Sequence, residues 1–186
     1  MPPKVKITKE NIVKAALDLL RLGGEEALNA RGLAAALGCS TQPLFSNFAT
    51  MEDLQTAMTT AAHEHYLGFL QREVDGGKYP PYKAFGMAYI RFAKEESALF
   101  KHLFMCDRHG EAPSPSSDFE TSVKMIMSTN GIDRQTAERM HMEMWAFVHG
   151  IATMLATNFL EPAWEQISEM LTDVYQGLRT RHISEE

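Results

Sequence analysis

Apolar side chains recur at intervals of three and four residues along almost all of this 186-residue chain. Such spacing places them on one face of an α-helix, and no convincing run shows the alternating, β-branched pattern that predicts a strand. The sequence therefore predicts an all-α fold. No stretch approaches the roughly 20 consecutive apolar residues that a membrane span needs, and the first residues lack the apolar core of a secretory signal. We therefore expect a cytoplasmic protein with no membrane partner.

Capping residues and glycines divide the chain into helices. The expected N-caps in the first part of the chain are Thr8, Asn29, Ser40 and Thr50. Each has a short side chain whose oxygen can accept a hydrogen bond from the free amides of the first helical turn. Gly38 is expected to end the second helix in the left-handed conformation. The predicted helices span about 8–22, 29–37, 40–48, 50–74, 81–95, 97–106, 117–129, 133–158 and 161–180.

The second and third helices are short, and only Gly38-Cys39-Ser40 separates them. This spacing is typical of a helix-turn-helix, in which the second helix can enter the major groove of DNA. A plain helical hairpin inside a larger bundle is the alternative. The residues placed to form the small core of the motif are Ala34, Leu37, Leu44 and Phe48.

The charge of the chain is unevenly distributed. Its formal net charge is -6, which by itself argues against a protein that coats nucleic acid. Residues 1–49, however, carry six basic and four acidic side chains, whereas the remainder carries twelve basic and twenty acidic ones. A polyanion is therefore expected to bind at the N-terminal end and to be repelled elsewhere.

The segment from Ile7 to Leu54 resembles the N-terminal DNA-binding domain of the TetR/AcrR family of bacterial transcription regulators. The resemblance lies in the start of the first helix, in Arg31 with Leu33-Ala34, and in Leu37-Gly38-Cys39-Ser40, Leu44-Phe45, Phe48 and Glu52-Asp53-Leu54. Further along, Trp145-Ala-Phe-Val-His149-Gly150 is similar to a signature of one subgroup of the family's ligand domains.

The resemblance implies a homodimer whose heads bind operator DNA and whose helical bodies bind a small effector. It divides the chain into a helix-turn-helix domain, residues 1–49, and a ligand-binding and dimerisation domain, residues 50–186, with a linking helix at about 50–74. The expected function is that of a repressor released from a palindromic operator by the effector.

Side-chain chemistry and the resemblance together indicate the DNA-binding residues. Gln42 can donate to and accept from adenine, and Thr41 can offer a hydroxyl or a methyl group to a base. Arg31 suits guanine or a phosphate. The remaining polar residues could contact phosphates. The basic residues before the first helix could follow the DNA backbone as a flexible arm. The set is Asn29, Arg31, Thr41, Gln42, Pro43, Phe45, Ser46, Asn47 and Lys6.

Three positions depart from the family pattern. The family usually has tyrosine at the position of Phe45, and it has lysine usually at that of Met51 and often at that of Ala49. Two or three contacts to the DNA backbone are therefore expected to be missing. Because each neutralised phosphate steepens the salt dependence of binding, we expect a shallow dependence here.

The second part of the chain is rich in methionine and aromatic residues. Most of these are expected to form the core, but flexible methionines also adapt to apolar ligands, and a few polar groups can orient one. We expect an apolar or aromatic effector. The candidate ligand-binding residues are Met87, Tyr89, Phe92, Phe104, Met105, Met125, Met144, Trp145 and His149.

Other functions find less support in the sequence. No nucleophile, acid/base pair or phosphate loop emerges, so no catalytic residue and no cofactor is predicted. His63 and His65 are two apart on a helix and therefore point to different sides, so no metal site is predicted. Two alternatives stay open: a redox regulator that uses Cys39 or Cys106, and a helical ligand-binding or scaffold protein that has lost DNA readout.

Overall fold

A computed structural model of the chain describes residues 7–106 and 117–183. Within these ranges every regular element is a helix, as predicted, and the match to the predicted bounds is close. The α-helices are α1 (Lys9–Gly23), α2 (Ala30–Ala36), α3 (Gln42–Asn47), α4 (Met51–Asp75), α5 (Pro81–Glu95), α6 (Ser97–Phe104), α7 (Ser117–Asn130), α8 (Arg134–Ala156) and α9 (Trp164–His182). A short 3₁₀ helix, Glu25–Ala27, was not predicted.

Local hydrogen bonds explain why α1, α2 and α4 begin where the sequence predicts. The Thr8 hydroxyl oxygen accepts from the Asn11 amide at 3.3 Å, and the Asn29 side chain accepts from the Gly32 amide at 2.9 Å. At the start of α4, Thr50 and Asp53 bond each other's amides reciprocally, both at 3.0 Å. Each bond satisfies an amide that has no partner inside its helix.

The helices form two compact units. The first contains the described residues up to Leu67 together with Glu96–Cys106, and therefore includes α6. The residues buried in its core include Ile12, Ala16, Leu20, Leu33, Leu44, Leu54 and Met58. Of the predicted helix-turn-helix core, Ala34, Leu44 and Phe48 are buried and Leu37 is half-buried.

The second unit contains Gly68–Glu95 and the described residues from 117 onward. Here α5 packs against α8, and α7 and α9 pack against both of them. Gly86 marks a close approach, because a Cβ atom added to it would lie 3.0 Å from Leu171 Cδ2 and 3.5 Å from Val148 Cγ2. The buried residues of this unit include Met87, Ile90, Phe92, Ile126, Ile151 and Leu171.

The division into functional domains 1–49 and 50–186 stays a prediction, and the packing units divide the chain at other positions. The first 17 residues of α4 and all of α6 pack with the N-terminal helices.

Among the helices that the structure describes, none combines the length and the apolar character needed to cross a membrane.

Candidate nucleic-acid interface and effector site

The turn between α2 and α3 is held by the backbone of a Schellman motif. The Cys39 amide donates to the Ala34 carbonyl at 2.9 Å, and the Gly38 amide donates to the Ala35 carbonyl at 3.1 Å. Gly38 has a φ of 62°, a conformation that glycine adopts without steric cost. The predicted stop at Gly38 is therefore confirmed, and the following residues are redirected into α3.

The predicted N-cap of α3 is wrong. Thr41, not Ser40, precedes the first helical residue, and its backbone is already helical, with φ of -72° and ψ of -15°. A capping side chain needs an extended backbone to reach back to the first amides, so Thr41 makes no capping bond. Pro43 lies in this first turn, where its missing N–H group leaves no intrahelical bond unmade.

One face of α3 is presented to solvent. Gln42, Phe45 and Ser46 follow the i, i+3, i+4 spacing of a single helix face, and all three are exposed. Phe45 retains 50% of its accessible surface, although a phenylalanine is usually buried. Leu44 lies on the opposite face and is buried. The helix therefore offers solvent a surface that is polar at its start and aromatic in its middle.

Two of the proposed phosphate contacts already use their donors within the protein. The Ser46 hydroxyl donates to the Gln42 carbonyl at 2.9 Å. The Asn47 amide donates to the Pro43 carbonyl at 2.8 Å and to the Ile7 carbonyl at 3.4 Å. To donate to a phosphate, either side chain must first exchange these bonds. Asn47 also ties the end of α3 to the start of the described chain.

Arg31 lies one residue inside α2 and is exposed, as is Asn29, whose side chain caps that helix. Thr41 and Pro43 are half-buried beside the exposed face. Lys6 lies outside the described residues. The assignment of all these residues to DNA contacts stays a prediction.

A group of charged side chains that sequence reasoning missed connects three segments of the first unit. The Glu96 carboxylate accepts from Arg21 of α1 at 2.8 and 3.1 Å, and it lies 2.9 Å from His65 Nε2 of α4. Burial alone would raise the pKa of Glu96, but the bonds from Arg21 and His65 together lower it. Since Arg21 and Glu96 are 75 positions apart, no local pattern marks the pair.

The candidate ligand-binding residues of the second unit differ widely in exposure. Met87, Tyr89, Phe92 and Met144 are buried, and Met125 is half-buried. The Phe92 ring meets the Phe69 ring edge to face, with centroids 5.2 Å apart. These contacts are those of a packed core.

Trp145, His149 and Tyr89 form a cluster that combines exposed and buried groups. The Trp145 and His149 rings are stacked, with centroids 5.0 Å apart and planes 16° apart. The His149 Nδ1 atom lies 2.9 Å from the Tyr89 hydroxyl. Burial lowers the pKa of His149, whereas the indole retains 42% of its accessible surface. Trp145 and His149 are four positions apart on α8 and therefore lie on one face of that helix.

Phe104 and Met105 belong to the first unit, with α6. Phe104 is half-buried, and its ring meets those of Tyr66 at 5.3 Å and Phe100 at 5.4 Å. Met105 is exposed. Their assignment to an effector site stays a prediction, as does that of the second-unit residues.

Potential metal ligands and the two thiols can be located in the part of the chain that the structure describes. That part contains no group of three or more potential metal ligands. Cys39 is half-buried in the turn, and Cys106 is exposed at the end of α6. Both cysteines are free thiols.

A helix-turn-helix with an exposed polar face, followed by a larger helical unit, defines the class of DNA-binding transcription regulators. Residues 82–175, half of the chain, match the family model described as "Tetracyclin repressor-like, C-terminal domain". The chain therefore belongs to the TetR family of transcription regulators, whose members are not enzymes.

Individual relatives resemble the chain in sequence, and solved structures resemble it in fold. The chain is 24% identical to the uncharacterized HTH-type transcriptional regulator Rv0681 of Mycobacterium tuberculosis over 161 residues, which cover 84% of this chain and 73% of that protein. Among solved structures, a TetR-like transcriptional regulator from Rhodococcus sp. RHA1 gives a TM-score of 0.71 at 16% identity, covering 97% of this chain and 99% of its own. A protein of unknown function from the same organism gives 0.70 at 20% identity, covering 95% of each chain.

Proposed function

We propose that this protein is a homodimeric repressor that binds a palindromic operator and is released from it by a small apolar or aromatic effector. The observation that carries the proposal is the exposed face of α3, formed by Gln42, Phe45 and Ser46. A helix with such a face can enter the major groove, where side chains near its start reach the base edges. The protein has no catalytic role in this proposal.

Exposed apolar side chains of the second unit support the homodimer. They lie on α8, on α9 and in the turn between these helices: Met142, Trp145, Phe159, Leu160 and Met170. Large apolar side chains left in water favour contact with a partner surface. A second copy related by a two-fold axis would present the same surface in return.

The effector site is proposed around Tyr89 and His149. Their hydroxyl and imidazole form a polar pair between α5 and α8, and these two helices also carry buried methionines such as Met87 and Met144. A few polar groups in an apolar surrounding are what orients a small ligand. The effector would bind an arrangement of the second unit that differs from the DNA-bound one, and in this way it would lower operator affinity.

Selection from random duplexes with the purified full-length protein tests the proposal directly. We expect an inverted repeat whose half-sites are about 34 Å apart, one turn of DNA. Recovery of no preferred sequence would instead support the ligand-binding or scaffold protein.

Arg31→Ala should weaken binding to the selected operator by about 1 to 3 kcal/mol if Arg31 contacts a base. Lys124→Ala is the matched control, because it removes one exposed positive charge from α7 of the second unit. Fluorescence anisotropy with the selected and a scrambled duplex separates base readout from general attraction. Equal affinities of wild type and Arg31→Ala would remove Arg31 from the interface.

Ala49→Lys should steepen the salt dependence of operator binding by about one unit in the slope of log K against log salt. Ala49 is exposed just after α3, so an added lysine can extend to a phosphate. Phe45→Tyr restores only a neutral hydroxyl and should leave the slope nearly unchanged. Titrations at several ionic strengths measure both, and a wild-type slope as steep as that of Ala49→Lys would contradict the expected deficit.

A further inference from the structure

The contact between α5 and α8 contains the same polar pair twice. The Tyr82 hydroxyl lies 3.0 Å from His141 Nδ1, and the Tyr89 hydroxyl lies 2.9 Å from His149 Nδ1. Seven residues separate the tyrosines on α5 and eight separate the histidines on α8, about two helical turns in each case. The two pairs therefore follow one another along the same interface.

The surroundings of His141 are mostly aromatic. The Phe119 ring of α7 lies 5.1 Å from the imidazole, and the Tyr175 ring of α9 lies 5.6 Å from that of Tyr82. Burial lowers the pKa of His141 and raises that of Tyr82, which Tyr175 raises further. The tyrosine therefore keeps its proton, and the neutral imidazole is the favoured form.

Two ion pairs join α8 to the neighbouring helices α7 and α9. On α7, Glu120 binds Arg134 of α8 at 2.6 Å. On α9, His182 Nε2 lies 3.0 Å from Glu143 of α8. Against His149 the structure places the Tyr89 hydroxyl of α5 and the Trp145 indole of α8 itself.

We propose that these two tyrosine–histidine pairs form an acid-sensitive switch that weakens the contact between α5 and α8 when both imidazoles are protonated. With its proton on Nε2, a neutral imidazole accepts the tyrosine hydroxyl at Nδ1. Protonation turns Nδ1 into a donor, so the hydroxyl must rotate and find another acceptor in an apolar interface. The charge gained must also be held in half-buried positions beside aromatic rings.

The direction of the effect follows from linkage. A histidine whose pKa is lower in the folded than in the unfolded state binds its proton preferentially after unfolding. Its contribution to stability is therefore complete above the ordinary pKa of about 6.5 and is lost as the pH falls. Acidification below the ordinary histidine pKa should therefore weaken the contact between α5 and α8.

Hydrogen exchange of the full-length protein, measured by mass spectrometry at pH 7.5 and 5.5 and corrected for intrinsic rates, tests the switch. We expect the protection of α5 and α8 amides to fall roughly tenfold at the lower pH, the effect of a single buried titrating group. The double variant His141→Asn, His149→Asn keeps a polar atom near each Nδ1 position but cannot titrate, so its protection should not change with pH. His63→Asn in the first unit is the matched control and should behave as wild type.

A second readout does not depend on the variants. Histidine side-chain NMR of the wild-type protein should show two imidazoles that titrate below about 6.5. If either of the two titrates at or above that value, or if wild type and a folded double variant lose protection equally on acidification, the proposal is overturned. Should the double variant not fold, the NMR titration alone decides.

Discussion

Phe92→Ala should lower the free energy of unfolding of the second unit by about 3 to 5 kcal/mol, the usual cost of removing a buried phenylalanine. The Phe92 side chain is 0% exposed and packs edge to face against Phe69. The substitution therefore removes buried apolar surface and leaves a cavity that the surrounding helices fill only in part. Urea denaturation followed by circular dichroism measures the loss.

The same substitution separates two roles for Phe92. If the ring lines a preformed effector pocket, one of its sides faces empty space, and the loss of stability should fall well below this range. Phe92→Leu keeps most of the volume and should cost less than about 1.5 kcal/mol. Phe159→Ala is the control for the type of substitution, because Phe159 is 80% exposed and its truncation removes little packing.

Glu96→Ala should destabilise the first unit by about 1.5 to 3 kcal/mol, the range for hydrogen bonds that involve charged groups. The Glu96 side chain is only 17% exposed. Removing it therefore takes the shared carboxylate away from Arg21 and His65 at a position that water reaches only in part. Glu96→Gln keeps the shape and loses the charge, and its effect should be intermediate. Thermal denaturation and exchange of α1 and α6 amides measure both.

The neighbouring residue provides the control for Glu96. Glu95 is 51% exposed and lies 3.6 Å from Arg91, so Glu95→Ala should change stability by no more than about 1 kcal/mol. Equal effects of Glu95→Ala and Glu96→Ala would show that the Arg21–Glu96–His65 group contributes no more than an ordinary surface ion pair.

Features decided by neighbours in the sequence were predictable. The caps at Thr8, Asn29 and Thr50 and the turn at Gly38 each depend on residues within five positions, and the structure forms all of them. The Ser40 cap failed for an equally local reason, because the backbone enters α3 one residue later and in a helical conformation. The 3₁₀ helix was missed because three residues are too few for a period.

Features decided by tertiary packing were not predictable. The bonds from Arg21 to Glu96 and from Tyr82 to His141 join residues 75 and 59 positions apart. Nothing in either local sequence distinguishes these side chains from ordinary surface or core residues. The packing of α6 with the N-terminal helices could not be predicted either, because it depends on which apolar helix faces contact each other in the folded chain. At the candidate DNA interface, the sequence indicated which residue types could contact DNA. Only the structure shows that the side chains of Ser46 and Asn47 already donate hydrogen bonds to backbone carbonyls.

The shortness of α3 has a consequence for how such a regulator changes over generations. It has six residues, one of them buried, and no capping side chain, so it takes its shape from the helices beneath it. Substitutions at Gln42, Phe45 or Ser46 should thus alter folding free energy by only about 0.5 kcal/mol. If α3 reads DNA as proposed, a lineage can then acquire a new target sequence in single steps while every intermediate stays folded, and duplicated copies can diverge in the genes they control on one unchanged scaffold.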